Sequence, residues 1–464
     1  MKKIKTNIEV LDHNELMLIH DTAVKILDEI GMRVPNTEIL MMCKERGCII
    51  KDDNILSLPK KVTEEYINDM RKESNHKIIN EAHNVSGGIS TQVYLVDYKT
   101  KTRRLGLRDD NLKGIKLTDQ LSNIPSTNSA VVPSDVPYEI ADAVSIADVQ
   151  KYSTKPGGTY ILTPTGAKYV KQINELLGVK SWYLLEIISP LYFKPDTLEM
   201  ALFFAKNGAS ISIAPMAMSS ATAPSTISGT LALQTAETLG SSFLVNTMTG
   251  DYPGFGMSCH SSDPQTMLCS FGSPNQAFFA IASSQIAKYY GIHGGANTAL
   301  TDALLPDFQG GFEKGVTAAL SSMSGLTSIG CQGIAGADQG FSFEQLVIDN
   351  EWMGYLNYIT SGFDVTEDSI GFDIIKNVGI AGNFLGEDHT VEYMRDNYWI
   401  SEIFSRYDWG NWQVNGSKSI LDRANDYVER ITKNYKDMEP VLDNETCREL
   451  DNIIKNAYKD VMQK

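Results

Sequence analysis

The sequence predicts an α/β protein built on a (β/α)8 TIM barrel, with helical and small β additions before it and a helical lobe after it. Short apolar runs alternate with helix-like segments about seven times between residues 128 and 361. The runs are apolar throughout, which is typical of parallel strands covered by helices on both faces. No GxGxxG or Walker A motif follows any run, which disfavours a doubly wound nucleotide-binding sheet.

Composition sets the first limits on function. The 464 residues suffice for one large barrel with additions, and 42% hydrophobic and 21% charged residues are typical of a soluble globular protein. A net charge of −16 disfavours nucleic acid and anionic membranes as partners. The six cysteines show no CxxC spacing, and no run is long enough to span a membrane. We therefore expect reduced thiols and a cytoplasmic protein.

The first region, residues 1–127, is predicted to be a helical cap followed by a small β region. Apolar residues at helical spacing predict helices at 16–30, 36–46 and 60–71. Residues 84–125 then alternate apolar and polar side chains between turn residues, which predicts a β-hairpin.

Residues 128–361 form the predicted barrel. Two helix starts are marked by Asp307 after Pro306, and by Ser342 with Gln345 at capping-box spacing. The position of the eighth strand stays open. The predicted strands lie at 128–137, 158–164, 182–193, 210–218, 241–253, 293–298 and 327–333. The predicted helices that precede Asp307 lie at 138–152, 166–177, 196–207, 225–239 and 274–290.

Residues 362–464 form the predicted C-terminal helical lobe. Its first part is aromatic and charged, and its last 45 or so residues contain two segments with apolar helical faces. We expect this lobe to pack on the barrel or on another subunit.

Residues at the carboxyl ends of the predicted strands are the candidates for chemistry, because barrel enzymes place their sites there. The usual signatures are missing: there is no HxH, HExxH or GxSxG pattern, so we expect no protein-bound metal. Cys259 and His260 are adjacent, but neighbouring side chains usually diverge. Two carboxylates for glycoside hydrolysis could come from Glu186, Asp251 and Asp302, yet nothing selects a pair.

Long stretches of the chain resemble the trimethylamine methyltransferase superfamily, and specifically its members that lack pyrrolysine. The resemblance includes ELMLIHDTAVKILDEIGMRV near the N-terminus, TDALLPDFQGGFEKG and GADQGFSFEQLVIDNE. It also covers residues 188–239, 271–292 and 384–409, so it extends along nearly the whole sequence.

The resemblance implies a TIM barrel that moves a methyl group from a quaternary amine to the Co(I) of a cognate corrinoid protein. Glycine betaine, proline betaine and carnitine are the substrates that it suggests. A quaternary nitrogen leaves as a neutral tertiary amine, so no general acid is expected and catalysis rests on positioning. The cobalamin belongs to the partner protein, so we expect no tightly bound cofactor. We also expect a homo-oligomer that works in anaerobic one-carbon metabolism.

A quaternary ammonium requires aromatic faces and acidic oxygens, because it is bulky and donates no hydrogen bond. Many relatives carry Lys or Arg near the position of Leu304, so the anchor of a substrate carboxylate is open here. The expected substrate-binding residues are the aromatic Tyr94, Tyr252, Phe255, Phe308 and Phe341, the acidic Glu186, Asp302 and Glu313, and the amides Gln309 and Gln339.

Two other functions stay open. A lyase or aldolase with a barrel fold would carry a Schiff-base lysine at a strand end, and none of the predicted strand ends has one. A quaternary-amine-binding protein without catalytic activity would keep the same pocket.

Overall fold

A computed structural model describes residues 4–6, 8–74, 84–330, 332–394 and 397–463. These residues form a mixed α/β protein of many helices and small sheets. The α-helices are His13–Lys25, Thr37–Glu45, Lys60–Ser74, Arg108–Thr118, Ala141–Tyr152, Pro164–Leu177, Pro195–Lys206, Ile227–Thr249, Asn275–Tyr290, Phe308–Ser324, Phe343–Ser361, Glu367–Ile370, Phe372–Val378, Asp388–Met394, Trp409–Val414, Ile420–Thr432 and Asn444–Met462. The strands are Met32–Arg33, Ile49–Lys51, Ile55–Ser57, Tyr94–Asp97, Thr102–Leu105, Thr127–Asn128, Gly157–Gly158, Trp182–Ile187, Ser210–Pro215, Met218–Ser219, Phe255–Met257, His260–Ser262, Cys269–Ser270, Gly294–Ala296, Ile334–Ala335 and Gly340–Phe341.

The N-terminal helices follow the predicted pattern. Asp12 and Glu15 form a capping box that starts the first helix. The helix continues as one π-helical segment, Ile26–Ile30, and ends at Gly31, whose φ of 82° favours glycine. The predicted hairpin is confirmed as the antiparallel pair Tyr94–Asp97 and Thr102–Leu105.

Parallel pairing joins the short strands that follow. Thr127–Asn128 pairs with Gly157–Gly158, and Trp182–Ile187 pairs with Ser210–Pro215. Phe255–Met257 pairs in the same sense with Gly294–Ala296. The pairs form separate two-stranded sheets among the described residues.

Residues 86–92 connect the two ends of this series. Ser86 and Ile89 form parallel bridges to Ser328 and Gln332, and Gln92 forms one to Val131. Ser328 is bridged in turn to Gly295. The segment before the hairpin therefore lies between residues 328–332 and residues 127–131, in the place that the sequence left without a strand.

Two sequence predictions about secondary structure are wrong. Residues 241–253 were expected to be a strand, but most of them belong to the helix Ile227–Thr249. That helix is buried on all sides from Thr230 to Asn246, so it shows no amphipathic period and its apolar run resembles a buried strand. The helix Arg108–Thr118 lies in the region predicted to be β structure.

The hydrophobic core lies between the N-terminal helices and the helices that flank the parallel strands. The last helix, Asn444–Met462, contacts Pro164–Leu177 and packs on this core. The helix Ile420–Thr432 contacts Phe343–Ser361 and belongs to a second hydrophobic cluster. Within the described ranges, no helix is both long and apolar enough to cross a membrane.

Candidate active site

A cavity of about 620 Å³ lies among the parallel strands. The strand Trp182–Ile187 shows how the sequence builds its wall, because alternate side chains of a strand point to opposite faces. Tyr183 and Leu185 are buried in the core, whereas Trp182, Leu184 and Glu186 line the cavity. The lining also includes Ser90, Thr91, Gln92, Val93, Tyr160, Ile187, Ile188, Ile213, Ala214, Met216, Gly256, Ser258, Gly295, Ala296, Asn297, Ser328 and Asp338.

Glu186 is one of two carboxylates in this wall. Its side chain is accessible from the cavity, yet the surrounding protein raises the pKa of its carboxyl by desolvation, an effect that the charge of Lys194 partly offsets. Glu186 accepts no hydrogen bond from a described residue, so its charge remains available to a ligand.

Asp338 is the second carboxylate, and it lies in a turn with a φ of 57°. Burial raises its pKa to about 6, while the hydrogen bond from Gln92 and the charge of Lys314 act in the opposite direction. Gln92 Nε2 donates to Asp338 Oδ1 at 3.0 Å. Glu186 and Asp338 are the charged residues of the described lining, so the cavity is anionic above the pKa of both groups.

Two aromatic side chains accompany these acids. Trp182 is 42% exposed because one part of it faces the cavity, and its Nε1 donates to Ser212 Oγ at 2.8 Å. Tyr160 is held by a 3.0 Å hydrogen bond between its hydroxyl and Ser90 Oγ. Aromatic faces and carboxylates in one cavity suit a bulky organic cation.

Asn297 contributes an amide whose position is fixed from behind. Its Nδ2 lies 3.3 Å from His260 Nε2, and the backbone carbonyl oxygen of Asn297 accepts from Gln276 Nε2 at 3.1 Å. His260 is fully buried, and desolvation lowers its pKa to about 3, so the ring is neutral and Nε2 accepts. Burial also raises the pKa of the adjacent Cys259 thiol well above its usual range, which argues against a thiolate nucleophile.

A buried ion pair supports the turn that carries Asp338. Lys314 Nζ donates to Asp349 Oδ2 at 2.8 Å, and both side chains are fully buried. Asp349 also accepts from the amide of Gly333 and from Trp352 Nε1. The described lining of the cavity contains no lysine, so no Schiff-base candidate faces it.

The acids expected from the sequence divide into two groups. Glu186 lines the cavity, but Asp302 and Glu313 hold a neighbouring loop. Asp302 accepts from Ser270 Oγ and from the amides of Phe271 and Gly272.

Glu313 fastens the same loop from the helix Phe308–Ser324. It accepts from Thr301 Oγ1 and the amide of Asp302, and the expected amide Gln309 donates to it at 2.8 Å. The structure thus brings Asp302, Gln309 and Glu313 together, but in a loop network and not in the described lining of the cavity.

The expected aromatic residues also lie outside the described lining. Phe255 and Phe341 are fully buried in the core, since their strands turn these side chains towards the helices. Tyr252 stacks on Tyr66, and Tyr94 lies under the guanidinium of Arg103. Phe308 is 86% exposed.

The remaining two positions face outwards. Gln339 accepts a hydrogen bond from Arg103 Nη1 at 2.8 Å, next to Tyr94. Leu304, where the resemblance led us to expect a basic group in many relatives, is 74% exposed. Neither side chain belongs to the described wall.

The described residues contain no group of three or more His, Cys, Asp or Glu side chains that could hold a metal ion.

Comparison with known proteins decides the family. The family described as trimethylamine methyltransferase (MTTB) matches residues 1–461. The chain belongs to this family.

The names of similar proteins in this family indicate more than one amine substrate. The glycine betaine methyltransferase of Desulfitobacterium hafniense strain Y51 is 24% identical and covers 99% of both chains. Trimethylamine methyltransferase MttB of D. hafniense strain DSM 10664 / DCB-2 is 25% identical over 91% of this chain and 88% of its own. MttB of Methanosarcina barkeri strain Fusaro is 26% identical over 93% of this chain and 94% of its own. Membership makes this chain a methyltransferase of methylated amines, and identities this low leave its substrate open.

Strand parity is the signal that the sequence reasoning did not use. Leu184 and Trp182 stand two and four positions before Glu186, so a strand that turns Glu186 into a cavity turns them there too. Asn297 lies in the predicted strand 293–298, and Asp338 follows the predicted strand 327–333. Tyr160 and Gln92 had no such signal, because their segments were not assigned the correct strand positions.

Proposed function

We propose that this protein transfers a methyl group from a betaine-type quaternary amine to the Co(I) of a separate corrinoid protein. The observation that carries the proposal is the cavity between Glu186 and Asp338, which offers two carboxylates and the rings of Trp182 and Tyr160 in a methyltransferase of this family. The resemblance of the sequence to members without pyrrolysine supports a quaternary substrate, and all 464 residues are standard amino acids.

The cavity supplies what a quaternary ammonium requires. Such a cation donates no hydrogen bond, so it is held by charge and by the faces of aromatic rings. Glu186 and Asp338 offset its charge, and Trp182 and Tyr160 give it apolar contact. Carnitine, glycine betaine and proline betaine all present this head group.

The proposed reaction requires positioning more than proton transfer. The methyl carbon accepts an electron pair from Co(I), the C–N bond breaks, and its electron pair remains on nitrogen as the lone pair of a tertiary amine. No proton moves, so the protein has to orient one N-methyl group and exclude water. The neutral His260 and Gln276 behind Asn297 fit this role, because they hold a polar wall group without offering an acid.

We further propose that the parallel segments close into a TIM barrel, with residues 86–92 as the eighth strand. The bridges of Ser86, Ile89 and Gln92 to both neighbouring segments support this arrangement. Glu186, Met216 and Asn297 then stand at the carboxyl ends of their strands, where barrel sites lie. The corrinoid protein would approach this mouth.

We propose a cytoplasmic homo-oligomer without a tightly bound metal or corrinoid of its own. The many apolar side chains exposed between Phe363 and Val414 support a packed partner there. Metal analysis of the purified protein that finds stoichiometric cobalt or zinc after chelation would contradict the second part of this proposal.

The test is a panel of amines assayed with reduced free cobalamin, in which the visible spectrum reports the methylated product. We expect turnover of at least one of glycine betaine, proline betaine and carnitine, and none of trimethylamine or dimethylamine. Binding of a quaternary amine without turnover, under conditions where a related methyltransferase is active, would make the protein a binding protein. Comparable turnover of trimethylamine would refute the quaternary substrate.

A further inference from the structure

A second cavity, of about 460 Å³, lies beside the first and at the opposite ends of the strands. Ser126, Pro156 and Lys180 line it, and each stands just before the start of a parallel strand. By contrast, Glu186, Met216 and Asn297 of the first cavity stand at or after strand ends. The two spaces therefore open towards different ends of the strands.

The two cavities meet at Thr91, Tyr160 and Trp182, which line both. The wall is interrupted here, because the described strands Gly157–Gly158 and Trp182–Ile187 do not pair with each other. Gly157 packs so tightly on Thr127 that a Cβ would stand 1.4 Å from the carbonyl oxygen of Thr127. This contact fixes the strand Gly157–Gly158 to its other neighbour, Thr127–Asn128.

The outer end of the second cavity reaches solvent. Pro156 and Lys180 are exposed there, and Val179 is 45% exposed. Lys180 is the charged residue of this lining, and it has no ion-pair partner in the part of the chain that the structure describes. The charges along the route are thus a cation at the outer end and two carboxylates inside.

We propose that the second cavity is a passage through which the amine substrate enters and the demethylated amine leaves. The proposal rests on the proposed function, in which a corrinoid protein covers the mouth of the first cavity during methyl transfer. With the mouth covered, exchange through the passage lets the amine turn over without dissociation of the partner. Tyr160 and Trp182 form the boundary between passage and reaction space.

The charges favour a zwitterion as the molecule that uses this passage. Lys180 attracts a carboxylate at the entrance, whereas Glu186 and Asp338 attract the ammonium group within. A quaternary amine without a carboxylate gains nothing from Lys180. The passage therefore favours betaine-type amines over choline-type amines.

Gly158→Val is the variant that narrows the passage. A Cβ at Gly158 meets only Ile146 Cγ1, at 4.0 Å, and Ile146 is itself part of the lining, so the new side chain extends into open space. Gly315→Val is the matched control, because a Cβ there has no neighbour within 4 Å and Gly315 lies outside the described linings of both cavities. Val179→Trp narrows the exposed rim independently and removes no buried contact.

Each variant is assayed with two methyl acceptors, free cobalamin and an excess of the corrinoid protein. We expect Gly158→Val and Val179→Trp to lower kcat about tenfold or more with the corrinoid protein and less than about twofold with free cobalamin, which leaves the mouth open. Gly315→Val should change neither rate. Equal rates for all variants, or an equal loss with both acceptors, would overturn the passage.

Lys180→Gln tests the charge at the entrance. With the corrinoid protein as acceptor, it should raise KM for a betaine about threefold and leave KM for choline unchanged, and added salt should remove the difference. Equal effects on both amines would overturn the role of Lys180. Failure of the wild-type protein to methylate either acceptor would refute the proposed function and the passage with it, whereas wild-type turnover with unchanged variants refutes the passage alone.

Discussion

Two pairs of acids lie near each other in this protein and do different work. Asp302 and Glu313 each accept three hydrogen bonds and thereby tie residues 270–272 and 301–302 to the helix Phe308–Ser324. Glu186 accepts none from a described residue, and Asp338 accepts one, from Gln92. The carboxylates of the first pair are held by hydrogen bonds from the protein itself, whereas those of the second pair face a cavity.

The difference teaches that donors around a carboxylate, more than its place near a strand end, decide its role. Backbone amides that converge on Asp302 have few alternatives, because Ser270 and Phe271 are buried. Gly272 shows how tight this loop is, since a Cβ there would stand 2.1 Å from Glu313 Oε2. Glu186 lies on a regular strand whose amides are paired with the neighbouring strand, so no donor reaches it.

The largest effect should come from the occupied pair and should concern stability. Asp302→Ala removes three hydrogen bonds to a carboxylate and leaves two amide donors without a partner, which we expect to lower the free energy of unfolding by about 2–3 kcal/mol. Denaturant unfolding measures this loss. Asp263→Ala is the control: it also removes hydrogen bonds to backbone amides, but in an exposed turn, and should cost less. If Asp302→Ala had normal stability and a raised KM, Asp302 would belong to the substrate-binding site and not to the loop network.

Glu186→Gln should affect binding and leave stability unchanged. The carboxylate has no hydrogen-bond partner in the described chain to lose, and removing its charge should raise KM for a betaine about tenfold or more, or about 1.4 kcal/mol or more. The neutral isostere in which carbon replaces the quaternary nitrogen should bind both proteins equally. An equal loss for the isostere would assign Glu186 to the shape of the cavity and not to its charge.

Trp182→Leu should weaken binding of the cation by about 1 kcal/mol, which raises KM roughly fivefold, because an aliphatic side chain replaces the ring face. Phe308→Leu is the matched control, since Phe308 is 86% exposed and stacks on Phe312 outside the described lining. Free cobalamin serves as acceptor here, so that docking of a partner does not enter. If Phe308→Leu raised KM more than Trp182→Leu, the substrate would bind near the loop that the sequence predicted and not in the cavity.

The smallest effect should be a pH dependence that belongs to the cavity pair. Burial raises the pKa of Asp338 to about 6, so its carboxylate is present above that pH and is lost as the pH falls through it. Lys314 and Gln92 oppose this rise in the pKa of Asp338. The charge of Asp338 in turn contributes to the raised pKa of the Cys269 thiol. We expect KM for a betaine to rise a few-fold between about pH 7.5 and about pH 5 in the wild type, and less in Asp338→Asn. An identical rise in the variant would assign the titration to Glu186, whose pKa is raised in the same direction.

Local sequence patterns determined many helices of this protein. The N-caps at Asp307 and Ser342 start helices where the sequence predicts them, because each side chain accepts from an amide within the first turn. The amphipathic faces near both termini were also recognisable, because the helical spacing of apolar residues is a local pattern. The family resemblance that the sequence suggested is confirmed by the match of residues 1–461.

Tertiary structure decided what local pattern could not express. The helix Ile227–Thr249 is buried on every side, so its residues carry no period that separates it from a strand. The segment 86–92 has neighbours that lie 39 and more than 240 residues further along the chain, and it meets them through single bridges to Val131, Ser328 and Gln332. The expected site residues depended on the same long-range arrangement. Asp302 and Glu313 are acids near strand ends in sequence, but only the fold brings Ser270, Phe271 and Gly272 to Asp302 and thereby occupies it, while it leaves Glu186 and Asp338 facing the cavity.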